Sequence, residues 1–198
     1  NITLSKGLEY IGHNCFFDSR KVTVLTIPAS ITRLYTSILT AGLCVAVPDS
    51  VQSLDFDDSG HFSSGSIILT HNNPVVATFA TSGDCSFVAN YSIDDTGNIW
   101  SPDGVLIRFS NRYTGKTYTL PTHATGILEN AFVSSTVKTI KCKSGHEVEW
   151  MLTYPSHYDS EFDTAIRCDE FFVSNHDTVY PGVEREYELN LIPELDRM

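Results

Sequence analysis

Short apolar runs separated by polar turns follow one another along almost the whole chain. The runs KVTVLTI at 21–27, SIILT at 66–70 and GVLIRFS at 104–110 are rich in β-branched and aromatic residues, which favour strands. The pattern therefore predicts an all-β protein. Further strands are predicted at 42–47, 75–80, 86–92, 116–120, 131–142, 147–154, 165–173 and 183–192.

The connectors between these runs have the chemistry of tight turns. HNNP at 71–74, NRYTGK at 111–116 and KSGH at 143–146 each join two apolar runs, and such turns favour sequential antiparallel pairing. We find no internal repeat and no shift in composition along the chain. The sequence therefore predicts a single domain over 1–198, an antiparallel two-sheet β-sandwich of jelly-roll or immunoglobulin-like type.

One stretch has helical spacing. Ile31, Leu34, Tyr35, Ile38 and Leu39 recur at intervals of three and four residues, and Ser30 is a suitable cap. We therefore expect at most one short helix, near residues 30–40.

The charge balance limits the kinds of partner. The net charge is −11, from 24 acidic and 13 basic side chains, and the basic residues are scattered. Nucleic acid is not expected as a partner, because phosphate binding needs a basic surface. No apolar run reaches the ~18 residues that a membrane-spanning helix needs.

The cysteines and sequons favour an oxidising compartment. Five widely spaced cysteines form no zinc-binding pattern, and two disulfides would suit a secreted chain. Five reduced thiols in the cytosol are the alternative. The chain begins without Met, and we expect secretion or display at the extracellular surface. The predicted disulfides are Cys44–Cys85 and Cys142–Cys168, with Cys15 free, and the predicted glycosylation sites are Asn1 and Asn90.

An acidic segment at 53–62 is a candidate calcium site. Asp55, Asp57 and Asp58 carry the carboxylates that calcium prefers, although Ser66 replaces the glutamate that an EF-hand loop requires. An ordinary acidic turn explains the segment equally well.

The segment SIDDTGNIWSPDG at 92–104 combines acidic side chains with a tryptophan. Carboxylates beside a flat aromatic ring are typical of carbohydrate sites. The alternative is a pair of turns with Ile99–Trp100 as a core anchor. The candidate ligand-binding residues here are Asp94, Asp95, Asn98, Trp100 and Asp103, and a second loop adds Tyr154, His157, Tyr158 and Asp159.

Catalytic patterns are weak. There is no G-x-S-x-G motif, and the best candidate is the pair Glu147 and Glu149, which share one face of a predicted strand about 7 Å apart. Two carboxyls at that separation suit a glycoside hydrolase.

The sequence favours a recognition domain, adhesin-like or host-interacting, that binds glycan or protein through its loops and is not an enzyme. The alternatives are a structural jelly-roll subunit of a viral shell or surface assembly, and a glycoside hydrolase. No cofactor other than calcium is suggested. Oligomers are expected to form through a sheet edge or Cys15.

Overall fold

The computed structural model describes residues 2, 4–12, 15–16, 22, 24–35, 43–55, 66–82, 86–143, 145–151, 166–168, 170–174 and 179–181. These residues are nearly all β-structure, which confirms the all-β prediction. The elements are, in chain order, β1 (Val24–Thr26), β2 (Arg33–Tyr35), β3 (Cys44–Ala46), β4 (Ser53–Asp55), β5 (Ile67–Thr70), α1 (Pro74–Ser82), β6 (Ser86–Ala89), β7 (Ser92–Ile93), β8 (Ile99–Trp100), β9 (Val105–Arg108), β10 (Thr117–Thr119), β11 (Gly126–Leu128), β12 (Thr139–Lys141), β13 (Val148–Met151), β14 (Ile166–Cys168), β15 (Glu170–Val173) and β16 (Val179–Pro181).

Most of these strands stack in parallel. One sheet has the order β1-β3-β5-β6, and all of its pairs are parallel. The pairs β2–β4, β9–β11, β11–β13 and β10–β12 are parallel as well. The chain therefore winds into a β-solenoid of about five turns, and the prediction of an antiparallel sandwich, whether jelly-roll or immunoglobulin-like, is wrong.

The first coils repeat one sequence pattern. Residues 27–34 and 47–54 both read Ile/Val-Pro-x-Ser-Ile/Val-x-x-Leu, 20 positions apart. In each copy a backbone turn follows the first strand, since Ile31 N donates to Pro28 O at 3.0 Å and Val51 N to Pro48 O at 3.2 Å. This turn redirects the chain into β2 or β4. The expectation that the chain has no internal repeat is therefore wrong.

The same turn replaces the described part of the helix predicted near residues 30–40, whereas residues 36–40, with Ile38 and Leu39, lie outside the described residues. Residues 33–35 form β2, where Leu34 is buried and Arg33 is exposed. Over so few positions, the apolar pattern of a helix cannot be distinguished from that of a short strand with one buried residue.

The sheet β1-β3-β5-β6 is buried on both faces. Leu25, Val45 and Ile68 pack into one core cluster, whereas Cys44 and Leu69 pack into a second cluster with residues of β9, β11 and β13. Parallel strands covered on both sides are typically continuous apolar runs. The runs at 42–47 and 66–70 carry that signal, which the antiparallel interpretation overlooked.

Helix α1 takes the place of an outer strand in the coil that begins at β5. Asn73 caps it, because its side-chain oxygen accepts hydrogen bonds from Val75 N at 2.9 Å and Val76 N at 3.2 Å. Pro74 at the first helical position has the backbone angle that a helix start needs. The strand predicted at 75–80 is therefore wrong, because the capping pair outweighs the strand preference of the two valines.

A ladder of side-chain hydrogen bonds joins the corners of successive coils. Ser30 Oγ donates to Leu8 O, Ser50 Oγ donates to Ile31 O at 3.0 Å, and Asn73 Nδ2 donates to Val51 O at 2.9 Å. Each donor thus reaches the carbonyl group that ends the turn one coil earlier. We call these contacts the corner ladder.

Cys44 forms no disulfide with Cys85. Its thiol is free and fully buried, and its Sγ accepts from Arg108 Nε at 3.4 Å and Nη2 at 3.3 Å. No disulfide pair was found among the described residues, so the predicted bonding of Cys44, Cys142 and Cys168 is not supported. Cys15 is exposed and free.

Antiparallel strands flank the parallel stacks. The β7–β8 hairpin pairs with β9, and β14 pairs with β13 on the opposite side of the same sheet. No helix among the described residues is long and apolar enough to cross a membrane, in agreement with the sequence.

We predict that Asn73→Ala lowers the free energy of unfolding by about 2 kcal/mol, because it removes both the helix cap and a buried coil-to-coil hydrogen bond. Urea unfolding followed by circular dichroism measures this change. Asn72→Ala is the matched control, since Asn72 is exposed and bonds to Asp49 only through its backbone nitrogen. Equal shifts for both variants would contradict the corner ladder as a source of stability.

Candidate functional site

The backbone and side chains of segment 92–104 bond to one carboxylate, that of Asp94. Asp94 Oδ1 accepts from Thr96 N at 2.9 Å, Thr96 Oγ1 at 2.6 Å and Asn98 N at 2.9 Å. Its Oδ2 accepts from Asn98 Nδ2 and Trp100 Nε1, both at 2.9 Å. Five donors from three neighbours thus occupy this side chain, which acts as the centre of a turn.

Two further candidates of this segment, Asn98 and Trp100, are also engaged inside the protein. Asn98 is fully buried, and its side-chain oxygen accepts from Ser110 N at 2.8 Å. Trp100 is only 3% exposed, and its ring meets that of His123 edge-on at 4.8 Å. The indole therefore presents no face on which a sugar could stack.

The turn shifts the acidity of its central carboxyl group. Partial burial on its own would raise the pKa of Asp94, but the hydrogen bonds from Thr96, Trp100 and Asn98 outweigh it and lower this pKa to about 2. Asp94 is therefore charged throughout the neutral and mildly acidic range.

The remaining predicted residues are scattered or lie outside the described part of the chain. Asp95 and Asp103 are exposed, and Ser101 Oγ donates to the carboxylate of Asp103. Asn90 is exposed in the left-handed conformation just after β6. The predicted residues outside the described part are Asn1, Asp57, Asp58, Cys85, Tyr154, His157, Tyr158 and Asp159.

The described member of the predicted calcium site has another role. Asp55 Oδ2 accepts a hydrogen bond from Arg33 Nε, and the two side chains form an ion pair across β2 and β4. Among the described residues, no three His, Cys, Asp or Glu side chains come together to hold a metal ion.

The predicted carboxylate pair lies at the start of β13. Glu147 is exposed just before β13, and Glu149 is half-buried within it, opposite Arg167 in the backbone register with β14.

A different group of exposed and half-buried residues gathers on the outer side of the first three coils. The turns Ser5–Leu8 and Pro28–Ile31 are equivalent, and the contacts Ser30–Leu8 and Tyr10–Tyr35 align residues 10–12 with β2, which pairs with β4. The central residue of each row, Ile11, Leu34 or Leu54, packs against the core. The outward residues, which we call the outer patch, are Tyr10, Gly12, Arg33, Tyr35, Ser53 and Asp55.

The large side chains of the outer patch hold one another in place. The rings of Tyr10 and Tyr35 meet edge to face at 5.9 Å and 77°. The guanidinium carbon of Arg33 lies 5.7 Å from the centre of the Tyr35 ring, while its Nε bonds to Asp55. These contacts orient a donor, an acceptor and an aromatic pair on one surface.

Solvent reaches most of this surface. Tyr10 is 56% exposed, and the side chains of Arg33 and Asp55 are 63% and 27% exposed. The hydrogen bond to Asp55 raises the pKa of the Arg33 guanidinium, so Arg33 stays protonated in this ion pair.

Sequence reasoning missed the outer patch, because its members are separated by up to 45 positions. The available signal was the repeated Pro-x-Ser turn, which places Arg33 and Ser53 at equivalent positions two residues after each turn. A pattern of alternating outward and inward residues then follows in both copies.

We predict that Asp94→Asn destabilises the protein at pH 7 by about 1 kcal/mol, a value discounted because solvent reaches the carboxylate. The folded pKa lies below the ordinary value of 3.8, so this stabilisation is present above about pH 4 and is lost as the pH falls towards 2. Urea unfolding between pH 2.5 and pH 7 measures the effect.

Asp95→Asn is the matched control for this variant, because Asp95 is the adjacent, exposed carboxylate in the same turn, whereas the hydrogen bonds to Asp94 come from Thr96, Asn98 and Trp100. We expect the Asp94 variant to converge with the wild type at low pH. A constant difference at every pH would contradict the assignment.

The comparisons with known proteins assign no family. No family model matches the chain, and neither the curated proteins nor the solved structures contain a match to it. Neither these comparisons nor the structure supports the predicted secretion, glycosylation or viral origin.

Proposed function

We propose that this protein is a recognition module that binds carbohydrate through the outer patch. The single observation that carries the proposal is the exposed ring of Tyr10 beside the oriented ion pair of Arg33 and Asp55. The contact surface thus lies on the side of the coils, whereas the sequence suggested loops at one end.

Carbohydrate needs two kinds of contact at once. Its C–H faces pack on flat aromatic rings, and its hydroxyl groups need donors and acceptors in fixed positions. Tyr10 supplies the ring, Arg33 supplies donors, and Asp55 supplies acceptor oxygens. The composition of the outer patch therefore matches both requirements.

The outer patch is also organised before any ligand arrives. Tyr35 lies between Tyr10 and Arg33, and the bond to Asp55 fixes the guanidinium group. Side chains that are already oriented lose little conformational entropy on binding. Stacked coils present such groups on a rigid, extended surface, which is the usual basis of binding by solenoid proteins.

A glycan array probed with the purified protein tests the proposal. We expect the wild type to bind a subset of glycans, and Tyr10→Ala to weaken binding at least tenfold, the factor that about 1.4 kcal/mol provides. Ile93→Ala is the control, because Ile93 is 61% exposed on β7, outside the outer patch.

Melting temperatures of all three proteins establish that the variants are folded. Two results would overturn the proposal. One is a wild type that binds no glycan, and the other is a folded Tyr10→Ala variant that binds as well as the wild type.

A further inference from the structure

We infer that the ligand of the outer patch is a neutral, linear oligosaccharide that lies along the solenoid axis and contacts at least two coils. This inference rests on the proposed carbohydrate function and adds the charge, the length and the direction of the ligand. Each of the three follows from a separate feature of the outer patch.

The charge follows from the ion pair. Arg33 and Asp55 neutralise each other, so the outer patch offers a donor and an acceptor but no surplus positive charge. The chain as a whole carries a net charge of −11, which repels an anion at long range. A uronate or sulfated sugar would also meet the carboxylate of Asp55 directly. Uncharged hydroxyl groups can bond to both Arg33 and Asp55 without electrostatic repulsion.

The length follows from the rows of the outer patch. Tyr10 lies in the first row, Arg33 in the second and Asp55 in the third. Neighbouring strands lie about 4.8 Å apart, so these three rows span roughly 10 Å along the axis. A single sugar ring on Tyr10 therefore cannot also fill the space beside Asp55, whereas a chain of sugars can.

The direction follows from where the small side chains lie. Gly12 shares the first row with Tyr10, and Ser53 shares the third row with Asp55. A Cβ atom added at Gly12 would lie 3.5 Å from Cys15 Sγ and 3.6 Å from the Tyr10 ring, so a longer side chain there would crowd that ring. Between these two small residues, the contact groups of Tyr10, Arg33 and Asp55 follow one another from coil to coil, which is the direction of the solenoid axis.

Titration calorimetry with defined sugars tests the inference. The neutral probes are glucose, cellobiose and cellotriose, together with the β-1,4-linked galactose series of the same lengths. The acidic probes are galacturonate and its dimer and trimer. We expect at least one neutral series to gain tenfold or more in affinity from monomer to trimer, and the acidic trimer to bind at least tenfold more weakly than that neutral trimer.

Asp55→Asn provides a second, independent readout. This variant frees the positive charge of Arg33, so we expect the preference for the neutral trimer over the acidic trimer to fall at least threefold. Ile93→Ala should keep the wild-type preference. Melting temperatures again establish that both variants are folded.

The outcomes separate the inference from the proposed function. Equal or tighter binding of the acidic trimer, or a monomer that binds as well as its trimer, would overturn the inference while leaving carbohydrate binding intact. If only acidic glycans bind on the array, the inference is also wrong and the proposed function stands. If no glycan binds, both are wrong.

Discussion

The corner carbonyl groups are the constraint on which this fold depends. When coils stack, the backbone that turns each corner is covered by the next coil, and its oxygens lose access to water. Ser30, Ser50 and Asn73 meet this constraint with one donor per coil. The later coils bond their corners through other side chains: Thr125 Oγ1 donates to Asp103 O at 2.6 Å on the solvent side, and His146 Nε2 lies 2.6 Å from the partly buried Ala124 O.

The corner donors also set the register of the surface. Because each corner bonds to the previous one, the residues two positions after each turn fall into line across the stack. Tyr10 and Arg33 thereby become neighbours without any direct bond between their own backbones. A site made in this way is held by strands and buried corners, which position side chains more accurately than long loops do.

The strand content was predictable, but the pairing was not. The composition of runs such as 42–47 and 66–70 predicted strands. The residues at 71–74 are typical of a hairpin turn, but in the structure they lead into α1. The connectors at 92–104 were correctly seen as turns, but the burial of Trp100 depends on residues of distant coils. Likewise, Arg33 meets Asp55 only because the coils stack, and residue type alone does not reveal that contact.

Helix α1 determines how far the outer strands extend. It follows β5 where β2 follows β1 and β4 follows β3, and it packs beside β4, so the row of outward strand residues ends there. The number of coils, and not the length of the loops, therefore determines the size of this surface. Duplicating the 20-residue unit that begins at β1 and ends before β3 would add one row to this surface and leave both flanking elements intact, so this architecture can change the reach of its surface by whole coils.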